Sequence, residues 1–129
     1  MPEWWGFNNR GDLDQALADN VAERLADGIE KRGKAYLVVS GGRTPVNLFS
    51  MLGHRELDWR QIVILLADER WVALDHKDRN ERLVQDTLLT GNACDATLLY
   101  LITNVDDEAA NSAALNSTLA TLPSFDVVI

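Results

Sequence analysis

A chain of 129 residues with 47% hydrophobic content is long enough for one domain with a real core and too short for two comfortable ones. Its 25% charged residues, three prolines and eight glycines are an ordinary globular composition and argue against a disordered or fibrous chain. The formal charge of -8, with lysines and arginines scattered rather than gathered in a stripe, disfavours nucleic acid as a partner, yet a few arginines and backbone amides can still build a cleft for a small anion.

From Asp12 to Lys31 the apolar residues Leu13, Ala16, Leu17, Val21, Leu25 and Ile29 recur mostly four apart, which predicts an amphipathic helix. Asp12 is the expected cap, and Gly33 lies beyond the end. Ala35-Tyr36-Leu37-Val38-Val39 is apolar without alternation, the pattern of a parallel strand covered on both faces. Ser40-Gly41-Gly42-Arg43-Thr44-Pro45 breaks that pattern, and Thr44 before Pro45 suits an N-cap followed by proline at the first helical position. The helix so started carries Val46, Leu48, Phe49 and Leu52 up to Gly53, and a second buried strand is expected at Ile62-Val63-Ile64-Leu65-Leu66.

Ala67-Asp68-Glu69-Arg70 stands at the carboxyl end of that strand, and a polar loop follows from Leu74 to Arg79. Asn80 is the expected cap of a helix through Leu83, Val84, Leu88 and Leu89, closed by Gly91. A third strand is expected around Thr97 to Ile102. Asp106 or Asp107 caps a last helix through Ala110, Ala114, Leu115 and Leu119, ended by Pro123, before a fourth strand at Phe125-Asp126-Val127-Val128-Ile129. Alternating strands and helices define an α/β domain over residues 1–129, with a doubly wound, mostly parallel, Rossmann-like sheet. An end in an apolar strand sets the further expectation that this sheet is incomplete at the C-terminus, leaving apolar surface open to self-association.

Cys94 is the only cysteine, so no intrachain disulfide is available and a reducing, cytoplasmic setting fits. The start, Met1-Pro2-Glu3-Trp4-Trp5, shows neither an export signal nor the beginning of a membrane span, and Trp4 and Trp5 are expected to pack on an edge strand or to meet a partner. Without a pair of histidines at i, i+4 spacing, no metal site is expected.

Open parallel sheets bind ligands beyond the carboxyl ends of their strands, which here deliver Ser40-Gly41-Gly42-Arg43-Thr44 and Asp68-Glu69-Arg70 to one cleft. Adjacent glycines let the backbone approach a ligand, and the amides at the start of the second helix with the Thr44 hydroxyl offer donors to a phosphate. The alternative is a strand-to-helix turn that uses the glycines for geometry alone. Nucleotide binding is poorly supported, since neither the G-x-G-x-x-G fingerprint nor a Walker loop is present. Arg70 is suited to holding a phosphate or carboxylate and Asp68 to moving a proton, against the alternative of a surface salt-bridge cluster. Of the two histidines, His54 reads as a helix-end surface residue and His76 as part of a solvated, charged loop. Ser40 lacks the G-x-S-x-G setting of a hydrolase nucleophile.

Val38-Val39-Ser40-Gly41-Gly42-Arg43-Thr44-Pro45, then Leu66-Ala67-Asp68-Glu69-Arg70-Trp71-Val72, then Arg79-Asn80 before an amphipathic helix, together resemble the 6-phosphogluconolactonase family, and glucosamine-6-phosphate deaminases more distantly. The resemblance implies an α/β fold and hydrolysis of 6-phospho-D-glucono-1,5-lactone to 6-phosphogluconate in the oxidative pentose phosphate pathway, with no metal or organic cofactor and a small sugar phosphate as substrate. By matching positions it implies that Ser40, Gly41, Gly42, Arg43 and Thr44 form the phosphate side and that Asp68 and Arg70 lie in the active cleft. The family's pattern continues, past an apolar strand like 125–129, into a loop with Asp-Gly-His whose histidine is the expected water-activating base. That motif is not among these residues, so this chain is expected to be an N-terminal portion, inactive alone. Arg79 stands where the family usually has serine. Two other readings stay open: a glucosamine-6-phosphate deaminase/isomerase, with Asp68 as the proton-transfer base, and a non-catalytic sugar-phosphate-binding module.

Overall fold

The computed structural model of the chain describes residues 9–40, 46–69, 71–72, 76, 78–103, 105–123 and 125–129. The first helix, α1, spans Arg10–Arg32. Its cap is Asn9, whose side-chain oxygen accepts from the Asp12 amide at 2.9 Å; the Asp12 cap expected from the sequence is thus an Asn9 cap, with Asp12 one turn in, where its charge favours the positive helix end. At the other end Gly33 has φ 78, a left-handed turn that returns its amide to the Ile29 carbonyl and stops the helix. The buried face is Asp14, Ala18, Val21, Leu25 and Gly28, so Leu13 falls outside the stripe and is exposed.

Strand β1, Ala35–Val39, and strand β2, Ile62–Leu66, pair in parallel from Ala35 with Ile62 to Val39 with Leu66. Between them lies helix α2, Val46–Gly53, followed by a short 3-10 turn over Trp59–Gln61. The Thr44 cap and the Pro45 helix start expected from the sequence lie outside the described residues, as do Trp4 and Trp5. Helix α3 covers Asn80–Thr87 with Arg79 at the cap position, so Asn80 is the first helical residue rather than the cap. Gly91 opens a second 3-10 turn, Gly91–Asp95, instead of closing α3. Strand β3 is Thr97–Leu99, shorter than the expected reach to Ile102, because the chain turns away to bring its carbonyls at Leu101 and Ile102 to side chains elsewhere. Asp107 caps α4, Glu108–Leu119, by accepting from the Ala110 amide, and β4 is Val127–Val128.

The sheet order is β3-β2-β1-β4, with every pairing parallel. The chain steps outward from β1 through β2 to β3 and then returns to the far side of β1. Right-handed crossovers therefore place α2 and α3 on one face and α4 on the other. Strand alternation agrees: Leu37, Val39, Ile62, Ile64 and Leu66 join Val21, Leu25, Phe49, Leu52 and Val84 in one core, while Leu65 and Leu99 line a shallow cavity under Leu115 and Leu119 of α4. Asp126 fixes β4 beside β1, pairing with Arg32 and accepting from the Tyr36 amide at 2.8 Å. Asp14, almost fully buried, ties α1 to α2 through Asn47 at 2.9 Å and is paired with Arg10 at 3.2 Å.

Candidate active site

The reversal of strand order falls between β1 and β4, and at such a point the connections leave the sheet in opposite directions and open a crevice. Ser40 is the first residue after β1 and sits on that crevice. Its hydroxyl donates to the Ile129 carbonyl at 3.0 Å, so it faces the neighbouring strand end. On the other side of β1, the Ala67 amide donates to the Val39 carbonyl at 2.8 Å and carries the parallel pairing one residue past β2. Ser40 and Asp68 thus leave adjacent strands on the same rim of the sheet. Gly41, Gly42, Arg43, Thr44 and Arg70 lie outside the described residues.

The acidic pair after β2 divides in two. Asp68 is exposed on the rim, where its Oδ1 and its carbonyl both accept from the Asn80 side-chain amide at 3.1 Å. Glu69 turns inward, and its side chain is only 1% exposed. There it accepts from the amides of Asn80 at 2.5 Å and Glu81 at 2.9 Å, the first free donors of α3. A carboxylate in that position satisfies two orphan N–H groups and meets the positive end of the helix. The surface salt-bridge alternative does not describe Glu69, which works as a long-range cap.

Behind Glu69 lies Arg79, its side chain fully buried. One Nη reaches the Ile102 carbonyl at 2.8 Å, the other the Val72 carbonyl at 3.4 Å. Nη2 is also 2.8 Å from Glu81 Oε2, an ion pair off the angle of a hydrogen bond, and Nε faces Glu69 Oε2 at 3.9 Å. Two carboxylates around one guanidinium keep the buried cluster from carrying an uncompensated positive charge. Neither this role of Arg79 nor that of Asn80 was readable from the sequence, because apart from Glu81 their partners come from 7 to 23 residues away. The one available signal is an arginine and a glutamate flanking the start of a short helix whose own cap residue has no capping side chain.

His54 lies at the end of α2 and donates from Nδ1 to the Ser50 carbonyl at 2.7 Å, the helix-end role expected for it. His76, half-exposed, accepts at Nδ1 from the Asp78 amide at 3.0 Å. Cys94 is free and exposed. Among the described residues no helix is long and apolar enough to cross a membrane.

A parallel α/β sheet with a polar rim at its switch point defines the class: an open, doubly covered domain of the kind that binds small ligands at its strand ends. Within that class the chain belongs to the Glucosamine-6-phosphate isomerases/6-phosphogluconolactonase family, which residues 8–129 match. It is 39% identical over 117 residues to a 6-phosphogluconolactonase of Pseudomonas putida, covering 91% of this chain and 48% of the relative. To a 6-phosphogluconolactonase of Rhizobium meliloti it is 41% identical over 124 residues, covering 95% and 53%. Its fold matches the crystal structure of a 6-phosphogluconolactonase from Shewanella baltica with a TM-score of 0.89 at 41% identity, over 95% of this chain and 53% of that one. The chain therefore spans about half the length of the relatives it matches.

Proposed function

We propose that the protein takes part in the hydrolysis of 6-phospho-D-glucono-1,5-lactone to 6-phosphogluconate, in the oxidative pentose phosphate pathway of the cytoplasm. The observation that carries this reading is the similarity, along nearly the whole chain, to relatives that bear the name 6-phosphogluconolactonase. The rim supports it chemically. A lactone hydrolase has to hold the phosphate, place the ring carbonyl and direct water at it, and an open parallel sheet offers amides, hydroxyls and charged side chains for these tasks at one edge. In this reading Ser40, Gly41, Gly42, Arg43 and Thr44 form the phosphate side, and Arg70 adds a cation for the phosphate or the developing oxyanion. Asp68, oriented by Asn80, holds or moves a proton near the reacting centre.

The reading takes the 129 residues as one α/β domain equivalent to the N-terminal portion of the relatives, and it needs neither a metal nor an organic cofactor. The partner is a small sugar phosphate rather than nucleic acid or membrane, in keeping with the charge of -8. Self-association is part of the proposal too, supported by the exposed Phe125 before β4 and Val128 within it.

The test is product analysis on the protein expressed at the full length its gene encodes. Release of 6-phosphogluconate from the lactone above the spontaneous rate is the expected result. Ammonia released from glucosamine 6-phosphate would replace this reading with the deaminase, and saturable binding of 6-phosphogluconate without turnover of either substrate would leave a binding module.

A further inference from the structure

We propose that Arg79 is a positioning residue for the Asp68 rim, an inference that rests on the lactonase reading for its catalytic part only. Three segments converge on its guanidinium: the chain leaving β2, through the Val72 carbonyl at 3.4 Å; the chain leaving β3, through the Ile102 carbonyl at 2.8 Å; and α3, through Glu81 at 2.8 Å. Its Nε lies against Glu69, whose carboxylate receives the two first amides of α3. The next residue, Asn80, carries the side chain that holds the Asp68 carboxylate and carbonyl. Arg79 itself is sealed from solvent and cannot touch a substrate, so any effect on the reaction passes through this frame.

A planar fork is what the arrangement requires. One nitrogen serves Ile102 and Glu81, a second serves Val72, and the third faces Glu69 from a direction no single ammonium reaches together with the others. The rest of the cluster has little freedom to compensate. Glu69 and Glu81 are themselves fixed at the start of α3, and α3 has no capping side chain at Arg79 to hold its first turn in their place. Loosening Arg79 therefore frees Glu69 to swing, the first turn of α3 to fray and Asn80 to release Asp68, while the β1 and β2 pairing and the main core stay as they are.

The experiment compares wild type, Arg79→Lys and Arg79→Met at the full length the gene encodes, reading amide hydrogen exchange by NMR and lactone kinetics. Arg79→Lys keeps the positive charge between the two glutamates and removes the fork. It is expected to exchange the Asn80 and Glu81 amides at least about tenfold faster, with the Leu37 and Ile64 amides unchanged. Its kcat is expected to fall by about ten- to a hundredfold with KM within about twofold, the mark of a displaced reacting group rather than a lost binding contact. Arg79→Met is expected to do the same more strongly. Should Arg79→Met fail to fold, Arg79→Lys decides alone. Wild-type exchange at Asn80 and Glu81 in a folded variant would overturn the proposal, and so would faster exchange with unchanged kcat. A wild-type protein that does not hydrolyse the lactone would refute the lactonase reading on its own, and the exchange at Asn80 and Glu81 would still decide whether Arg79 holds the rim.

Discussion

The Ser40 hydroxyl donates to the Ile129 carbonyl at 3.0 Å and so ties together two strand ends 89 residues apart in sequence. The bond spans the point where the sheet reverses its order. Ser40→Ala removes it, and because the site is exposed the expected cost is about 0.5–1 kcal/mol in urea unfolding, with faster amide exchange at Ile129. A tenfold loss of sugar-phosphate affinity at unchanged stability would instead assign the hydroxyl to the ligand.

Asp68 is exposed and contributes little packing, so Asp68→Asn is expected to change stability by no more than about 0.5 kcal/mol while lowering turnover. Thermal unfolding and lactone kinetics on the same preparation check both halves. A large fall in Tm with normal kcat/KM would make Asp68 structural.

Glu69 is the opposite case. Glu69→Ala strips the acceptor from two helix amides and leaves Arg79 facing one carboxylate fewer inside the protein. Breaking such a buried arrangement costs about 3 kcal/mol or more. Chemical denaturation measures it, and a loss below about 1 kcal/mol would show that the cluster is not what holds α3.

Gly53 ends α2 against the chain leaving α3, where an added methyl would run into the Leu88 carbonyl oxygen. Gly53→Ala is expected to cost about 1–3 kcal/mol through this backbone clash. Gly33, whose missing side chain would face open space, is the control: Gly33→Ala meets no neighbour, and its cost of about 1 kcal/mol arises from φ 78 alone. Thermal unfolding of the pair ranks the two effects.

Arg70 is expected to make a charge-assisted contact in the cleft, so Arg70→Ala should remove about 2 kcal/mol of transition-state stabilisation, read as kcat/KM of the protein at the full length its gene encodes. His54→Ala and His76→Ala are expected to leave kcat/KM within about twofold, since one ring is bound to its own helix and the other to the Asp78 amide. Activity lost with His76→Ala would make that residue the base.

Where a segment's fate is settled by its own residues, the sequence was enough to read it. The apolar runs of β1 and β2 fall where expected, as do Gly33 at the end of α1 and Asp107 at the start of α4. What escaped was decided by partners from elsewhere in the chain. Asn80 has the side chain of a cap, but the Arg82 and Leu83 amides that such a cap would serve donate to the Arg79 carbonyl, and its side chain holds Asp68 instead. The end of β3 gives way before Ile102 because Arg79 and Asn111 draw its carbonyls aside. Asp68 and Glu69 look equivalent as neighbours, and only their partners in the fold, the Asn80 side chain for one and the first amides of α3 for the other, set them apart.

Strand β4 is attached at great sequence distance: two residues paired with β1, the Asp126 and Ile129 amides, the Asp126 carboxylate with Arg32 and the Tyr36 amide, and the Ser40 hydroxyl. The β1-α2-β2 unit closes a much shorter loop, and loop closure costs more the longer the intervening chain. In the order of folding β4 therefore docks after the β1 and β2 pair. The Ser40 to Ile129 bond at the rim exists only once that docking is complete, so this edge of the sheet forms after the β1 and β2 pair. A ligand seated at that rim would bind the docked state alone and hold β4 in place.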